Sequence, residues 1–177
     1  MLTNYLEIIT LLPNLVVVHH DINEGNLLMK EAGCSGSVDI AGLLDFQDSC
    51  YGKRHYDIAV FMAYMMIYYM GQDKMKCGGL CLKGFLQEAT LSEVELNLLY
   101  YTVAGRLVQS LVLGSYSYSL YKDPYLLSTS HEGWQLLRTL WSKPAQDVLD
   151  QWLLIAKSDC RCENDLIATF VINKNTM

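Results

Sequence analysis

A mostly helical α+β fold is what this sequence predicts, on three observations. Short β-branched and apolar runs are confined to the part before Tyr56, apolar segments with helical spacing fill most of the rest, and hydrophobic residues make up 51% against 18% charged. The first observation places a small β-hairpin near the N-terminus. The second stacks helices behind it. The third supplies apolar surface for one core and excludes a disordered chain.

Taken in order, Tyr5 to Leu12 is apolar throughout and meets Pro13, which predicts a short helix and a break. Leu15 to Val18 reads as a strand. Asn26 to Met29 and Val38 to Leu44 read as the arms of a hairpin, joined by a turn over Lys30 to Ser37 that contains Gly and Ser. From Tyr56 the pattern becomes helical, and the apolar segment Ile58 to Met70 stops at Gly71, a suitable C-terminal breaker. Lys74 to Gly84 reads as a loop on the strength of Gly78 and Gly79. Ser92 with Glu95 forms a capping box ahead of a long helix reaching about Tyr121, with Gly105 and Gly114 as close-packing points and Pro124 as its stop. Two amphipathic segments follow, Tyr125 to Trp141 and Pro144 to Ala156, the second opening with proline in its first turn. No repeat or linker marks a second domain, so residues 1–158 read as one unit. Residues 159–177, with the apolar run Leu166 to Ile172, read as a divergent tail.

Charge and composition exclude several functions. A formal charge of -6 and a pI near 5.1 argue against nucleic acid, whose phosphates must be neutralised by Lys and Arg. The longest apolar run, Ile58 to Met70, falls short of the roughly 20 residues of a membrane span. With no secretory signal pattern, the expected setting is the cytoplasm, and the six cysteines are expected as free thiols. Cys77 and Cys81 could lie one helical turn apart, but no nearby histidine completes a zinc ligand set. Nothing in the sequence assigns an oligomeric state.

The chemistry resides in Val18-His19-His20-Asp21-Ile22-Asn23-Glu24-Gly25-Asn26 and in Gly42-Leu43-Leu44-Asp45-Phe46. His-x-Asp followed by Asn five residues later, then Asp-Phe at the end of the next apolar strand, is the arrangement of a kinase catalytic loop and metal-binding loop. A hydroxyl that attacks a γ-phosphate needs a carboxylate to orient it and accept its proton, and Asp21 is the candidate. The nucleotide's phosphates need Mg²⁺, a hard ion that prefers oxygen ligands, and Asn26 and Asp45 offer them. His19 then serves to bond loop backbone and fix Asp21. Any one of these residues alone is more often a turn cap; their spacing and strand context together make the reading specific.

From His19 to Met66, and again over Arg106 to Val112 and Ser115 to Ser117, the chain resembles the aminoglycoside phosphotransferase family, within it the branch that phosphorylates 5-hydroxylysine. That resemblance implies a protein-kinase-like fold, of which this chain would be the C-lobe. It also implies nucleotide-dependent phosphorylation of the hydroxyl of 5-hydroxylysine, with GTP, or else ATP, as donor. Asp21 becomes the catalytic base and Asn26 and Asp45 the magnesium ligands. Asp57 falls where the family keeps an acid before a buried helix, so it either holds the catalytic loop or is an ordinary acid at a helix N-terminus. Arg106 either faces the cleft toward a substrate carboxylate or, the commoner fate, snorkels at the surface. No residue is assigned to the nucleotide.

The chain departs from the family pattern in three ways. His20 stands where the family usually has glycine. Gln47 replaces the glycine after Asp-Phe, which could restrict how that loop presents Asp45. Only residues 1–18 precede His19, where the family has a nucleotide-gripping lobe, so the sequence is expected to be incomplete for turnover. Two alternatives stand beside the first reading. One is an inactive C-lobe acting as a binding or regulatory module. The other is a kinase for a different amino alcohol, such as choline, homoserine or an aminoglycoside, whose ammonium Glu24 or Asp48 could receive.

Overall fold

A computed structural model describes residues 15–32 and 37–158 of the chain. The expected helix over Tyr5 to Leu12, the middle of the Lys30 to Ser37 turn and the 159–177 tail, with Cys34, Cys160 and Cys162, lie outside the described residues.

The β part is two small antiparallel sheets. Strand β2 (Leu27–Ala32) and strand β3 (Ser37–Leu43) form the expected hairpin, starting from Leu27 opposite Leu43 and carrying a bulge after Leu28. Strand β1 (Val16–Val18) pairs with β4 (Cys50–Gly52), Val16 opposite Gly52 and Val18 opposite Cys50. The sequence reading named β1 without a partner and missed β4. At three residues, β4 is too short to show an alternation pattern of its own.

Behind the sheets lie helices α1 (Arg54–Tyr68), α2 (Lys74–Glu88), α3 (Glu93–Tyr121), α4 (Ser130–Trp141) and α5 (Ala145–Ala156). Helix α1 is apolar nearly all round, as a central helix must be. Ile58, Ala59, Met62, Ala63, Met65 and Met66 are all buried as it packs against α2 and α3. Helix α3 opens with the capping box read from sequence: Glu95 Oε2 accepts from the Ser92 backbone N–H at 2.9 Å, and Ser92 Oγ accepts from the Glu95 N–H at 3.3 Å. It ends where Lys122 turns left-handed at φ 58° and Pro124 follows. Beside Glu95, His55 is buried, and that burial pulls its imidazole below the ordinary histidine value while the Glu95 carboxylate works the other way.

The expected loop over Lys74 to Gly84 is instead helix α2, capped by Asp73, whose side chain accepts from the N–H groups of Met75 and Lys76. Glycine weakens a helix interior by about 1 kcal/mol relative to alanine, which is why the pair Gly78-Gly79 suggested a break. Packing overrides that penalty. A Cβ on Gly78 would stand 2.7 Å from Trp152 Nε1, and one on Gly79 2.7 Å from Ile155 Cβ, so the two glycines let α5 lie directly against α2 and bury Trp152. Of the two glycines expected as close-packing points, Gly114 is a close approach, to the Leu126 carbonyl, whereas a Cβ on Gly105 would meet nothing. Pro144 is the residue that caps α5 and not part of its first turn.

Candidate active site

The base of the β2–β3 hairpin joins the two loops. Leu44 donates its N–H to the Asn26 carbonyl at 2.8 Å, one step beyond the Leu27–Leu43 pair, so Asn26 and Asp45 leave adjacent strand ends. Asp45 is exposed with φ 62°, a left-handed turn that short polar side chains tolerate. His19 ties this end to the first loop. Its Nδ1 accepts from the Asp21 N–H at 3.3 Å, which leaves the proton on Nε2 to be donated to the Leu44 carbonyl at 2.9 Å. Phe46 packs edge-on to the same imidazole at 4.8 Å.

The first loop is anchored to α1 by Asp57. Its two carboxylate oxygens accept the N–H groups of His19 at 2.9 Å and His20 at 2.7 Å. The side chain therefore reaches across to the loop as well as standing in the first turn of α1. Between those bonds His20 adopts φ 70°, the left-handed region that glycine enters without a steric penalty.

Asp21 is half-buried and contacted from both sides. Asn23 and Asn26 donate their side-chain N–H groups to its Oδ2 at 3.0 and 3.3 Å. Asn26 also donates to the Asp21 backbone carbonyl at 2.9 Å, so its nitrogen faces Asp21 and its amide oxygen is the other end. Asn23 braces the turn, its Oδ1 accepting from the N–H groups of Gly25 and Asn26. Asp21 Oδ1 accepts from Arg106 Nη2 at 2.7 Å.

This last contact overturns the surface-snorkelling expectation for Arg106. The guanidinium turns inward to the first loop and also donates to the Tyr64 hydroxyl at 3.1 Å, which donates in turn to Ser110 Oγ at 3.3 Å. It lies over the Tyr64 ring at 5.2 Å, and its Nη1 donates to Gln109 Oε1 at 3.2 Å. Sequence reasoning missed Tyr64 and the partnership with Asp21. The available signal was a cation with Gln109 and Ser110 three and four residues on, a polar face on an otherwise apolar helix.

Asp48 is exposed, and Gln47 is exposed with a φ that any residue adopts, so the backbone at that position does not call for glycine. Glu24 is half-buried near Tyr68, whose phenol is pushed well up by burial and further by the Glu24 carboxylate. A cavity of about 560 Å³ between β1, the start of α1 and the end of α2 shares Asp57 with the loops but is lined by none of Asp21, Asn26 and Asp45. Among the described residues no three His, Cys, Asp or Glu gather as a metal cluster. Hard oxygens from Asn26 and Asp45 fit Mg²⁺, which commonly takes one or two carboxylates and completes its shell with phosphate and water.

Residues 4–89 match the phosphotransferase enzyme family. Among curated relatives, the chain is 35% identical to the hydroxylysine kinase of Mus musculus over 79% of its own length and 38% of the relative's. It is 33% identical to that of Xenopus laevis, over 83% and 42% respectively, and 34% identical to that of Bos taurus, over 79% and 38%. It thus spans about two fifths of the length of the curated relatives it matches. No solved structure matches it. The matched family is one whose members use a nucleotide as phosphate donor, usually with Mg²⁺. No helix among the described residues is long and apolar enough to cross a membrane.

Proposed function

We propose that this chain carries the catalytic and metal loops for transfer of the γ-phosphate of GTP to the hydroxyl of 5-hydroxylysine. Residues 1–158 would then form a kinase-like C-lobe. The observation that carries the reading is the Asp21 carboxylate, fixed by Asn23, Asn26 and Arg106 beside the strand ends that bear Asn26 and Asp45.

In this reading Asp21 receives the acceptor's hydroxyl and takes its proton as the new oxygen–phosphorus bond forms. The bond to the β-phosphate oxygen breaks, and the nucleoside diphosphate leaves with the electron pair. Asn26, through its amide oxygen, and Asp45 would hold Mg²⁺, which when bound neutralises charge on the phosphates. His19 and Asp57 position the loop and touch neither reactant. Hydroxylysine as acceptor is supported by the relatives, which are hydroxylysine kinases and whose similarity extends past the family match into α3 and α4.

The test is magnesium-dependent consumption of GTP or ATP that requires 5-hydroxylysine, measured in this chain and in any longer form that contains it. Asp21→Asn should lower the rate by about 10²- to 10⁴-fold. An unchanged rate in that variant would remove Asp21 from the reaction. Nucleotide consumption indifferent to 5-hydroxylysine would remove the acceptor.

A further inference from the structure

We propose that Arg106 recognises a carboxylate on the acceptor, so that the site selects amino acids over amino alcohols that carry only positive charge. This deepens the phosphotransfer reading and rests on it for the place where the acceptor sits.

The guanidinium is set at that place. An acceptor hydroxyl at hydrogen-bond distance from Asp21 lies within roughly 6 Å of Arg106 Nη2, two hydrogen-bond lengths away, because Nη2 itself is 2.7 Å from Asp21 Oδ1. In extended 5-hydroxylysine the hydroxyl-bearing carbon and the carboxyl carbon are about 5 Å apart. A hydroxyl on Asp21 and a carboxylate on Arg106 are therefore spanned by one such molecule.

The group is also held in place and keeps a donor for an anion. Tyr64 and Gln109 grip it from two sides, so little mobility remains to be lost on binding. Nη2 spends both its hydrogens on Asp21 and Tyr64. Nη1 makes one bond, to Gln109, and has a second hydrogen to give. A carboxylate accepts a charge-assisted bond from that hydrogen, which an ammonium does not. Choline or an aminoglycoside would bring cations toward a fixed cation.

Isothermal titration of the whole chain with 5-hydroxylysine and with its decarboxylated diamine, which keeps the hydroxyl and both amines, tests this. The wild type should bind the amino acid at least about tenfold more tightly than the diamine. Arg106→Gln should erase the preference by weakening the amino acid alone, and Arg106→Lys, which keeps the positive charge, should retain part of it. A folded Arg106→Gln protein that keeps the preference overturns the proposal. If that variant does not fold, an undiminished preference in Arg106→Lys does so. Equal wild-type affinity for both compounds overturns carboxylate recognition and leaves phosphotransfer standing, whereas binding of neither removes the acceptor reading and this proposal with it.

Discussion

In the bundle of α1, α2, α3 and α5 the side chains of Met62, Met66, Leu82, Leu107 and Trp152 are fully buried, whereas in the loops Asp45, Phe46 and Gln47 are exposed and Asp21 is half-buried. The bundle is held by close apolar packing. The loops are held by a short series of polar bonds: Asp57 to two backbone N–H groups, His19 to Leu44, and Asn23, Asn26 and Arg106 to Asp21. Burial supplies stability in proportion to area but little direction, while hydrogen bonds contribute less net energy and fix orientation. Stability and site geometry should therefore respond to different substitutions, and Asp57, rooted in the bundle and bonded to the loop, should affect both.

The largest expected effect lies in the bundle. Trp152→Ala removes the side chain around which Gly78 and Met66 close and should lower stability by about 3–5 kcal/mol, read from denaturant unfolding. A loss under 1 kcal/mol would mean that the α2–α5 contact is not a main support. Asp57→Ala should come next, at about 2–4 kcal/mol, because it strands the N–H groups of His19 and His20. It should also reduce acceptor-dependent phosphotransfer more than an equally destabilising change in the bundle does. Equal activity in two such variants matched for stability would break the distinction between the regions. The smallest effect is a gain: His20→Gly should stabilise by about 0.5–1 kcal/mol, since a non-glycine residue at φ 70° carries strain that exceeds glycine's added chain entropy. A melting temperature that falls in His20→Gly would show that the contact of His20 with Tyr56, 5.7 Å between ring centroids, outweighs the strain.

Local signals were legible wherever a residue's partner lies nearby in sequence. The Ser92–Glu95 box, the β2–β3 hairpin and the stop at Pro124 all read correctly, because each is decided within a few residues. The same local logic misread Gly78-Gly79 as a loop, since the reason for those glycines is Trp152 and Ile155, more than seventy residues away. It also left Asp57 balanced between two roles and Arg106 between the cleft and, as the commoner fate, the surface. Both depend on His19, His20 and Asp21, which no helical period relates to them.

The sequence by itself determined which carboxylates and amides stand in the two loops and on which short elements they sit, because spacing and turn chemistry are local properties of the chain. Only the tertiary structure decided that Arg106 grips Asp21, that Asp57 pins the loop before it and that α2 is a helix. Those outcomes depend on which surfaces the packed helices bring together, and packing is a property of the whole fold.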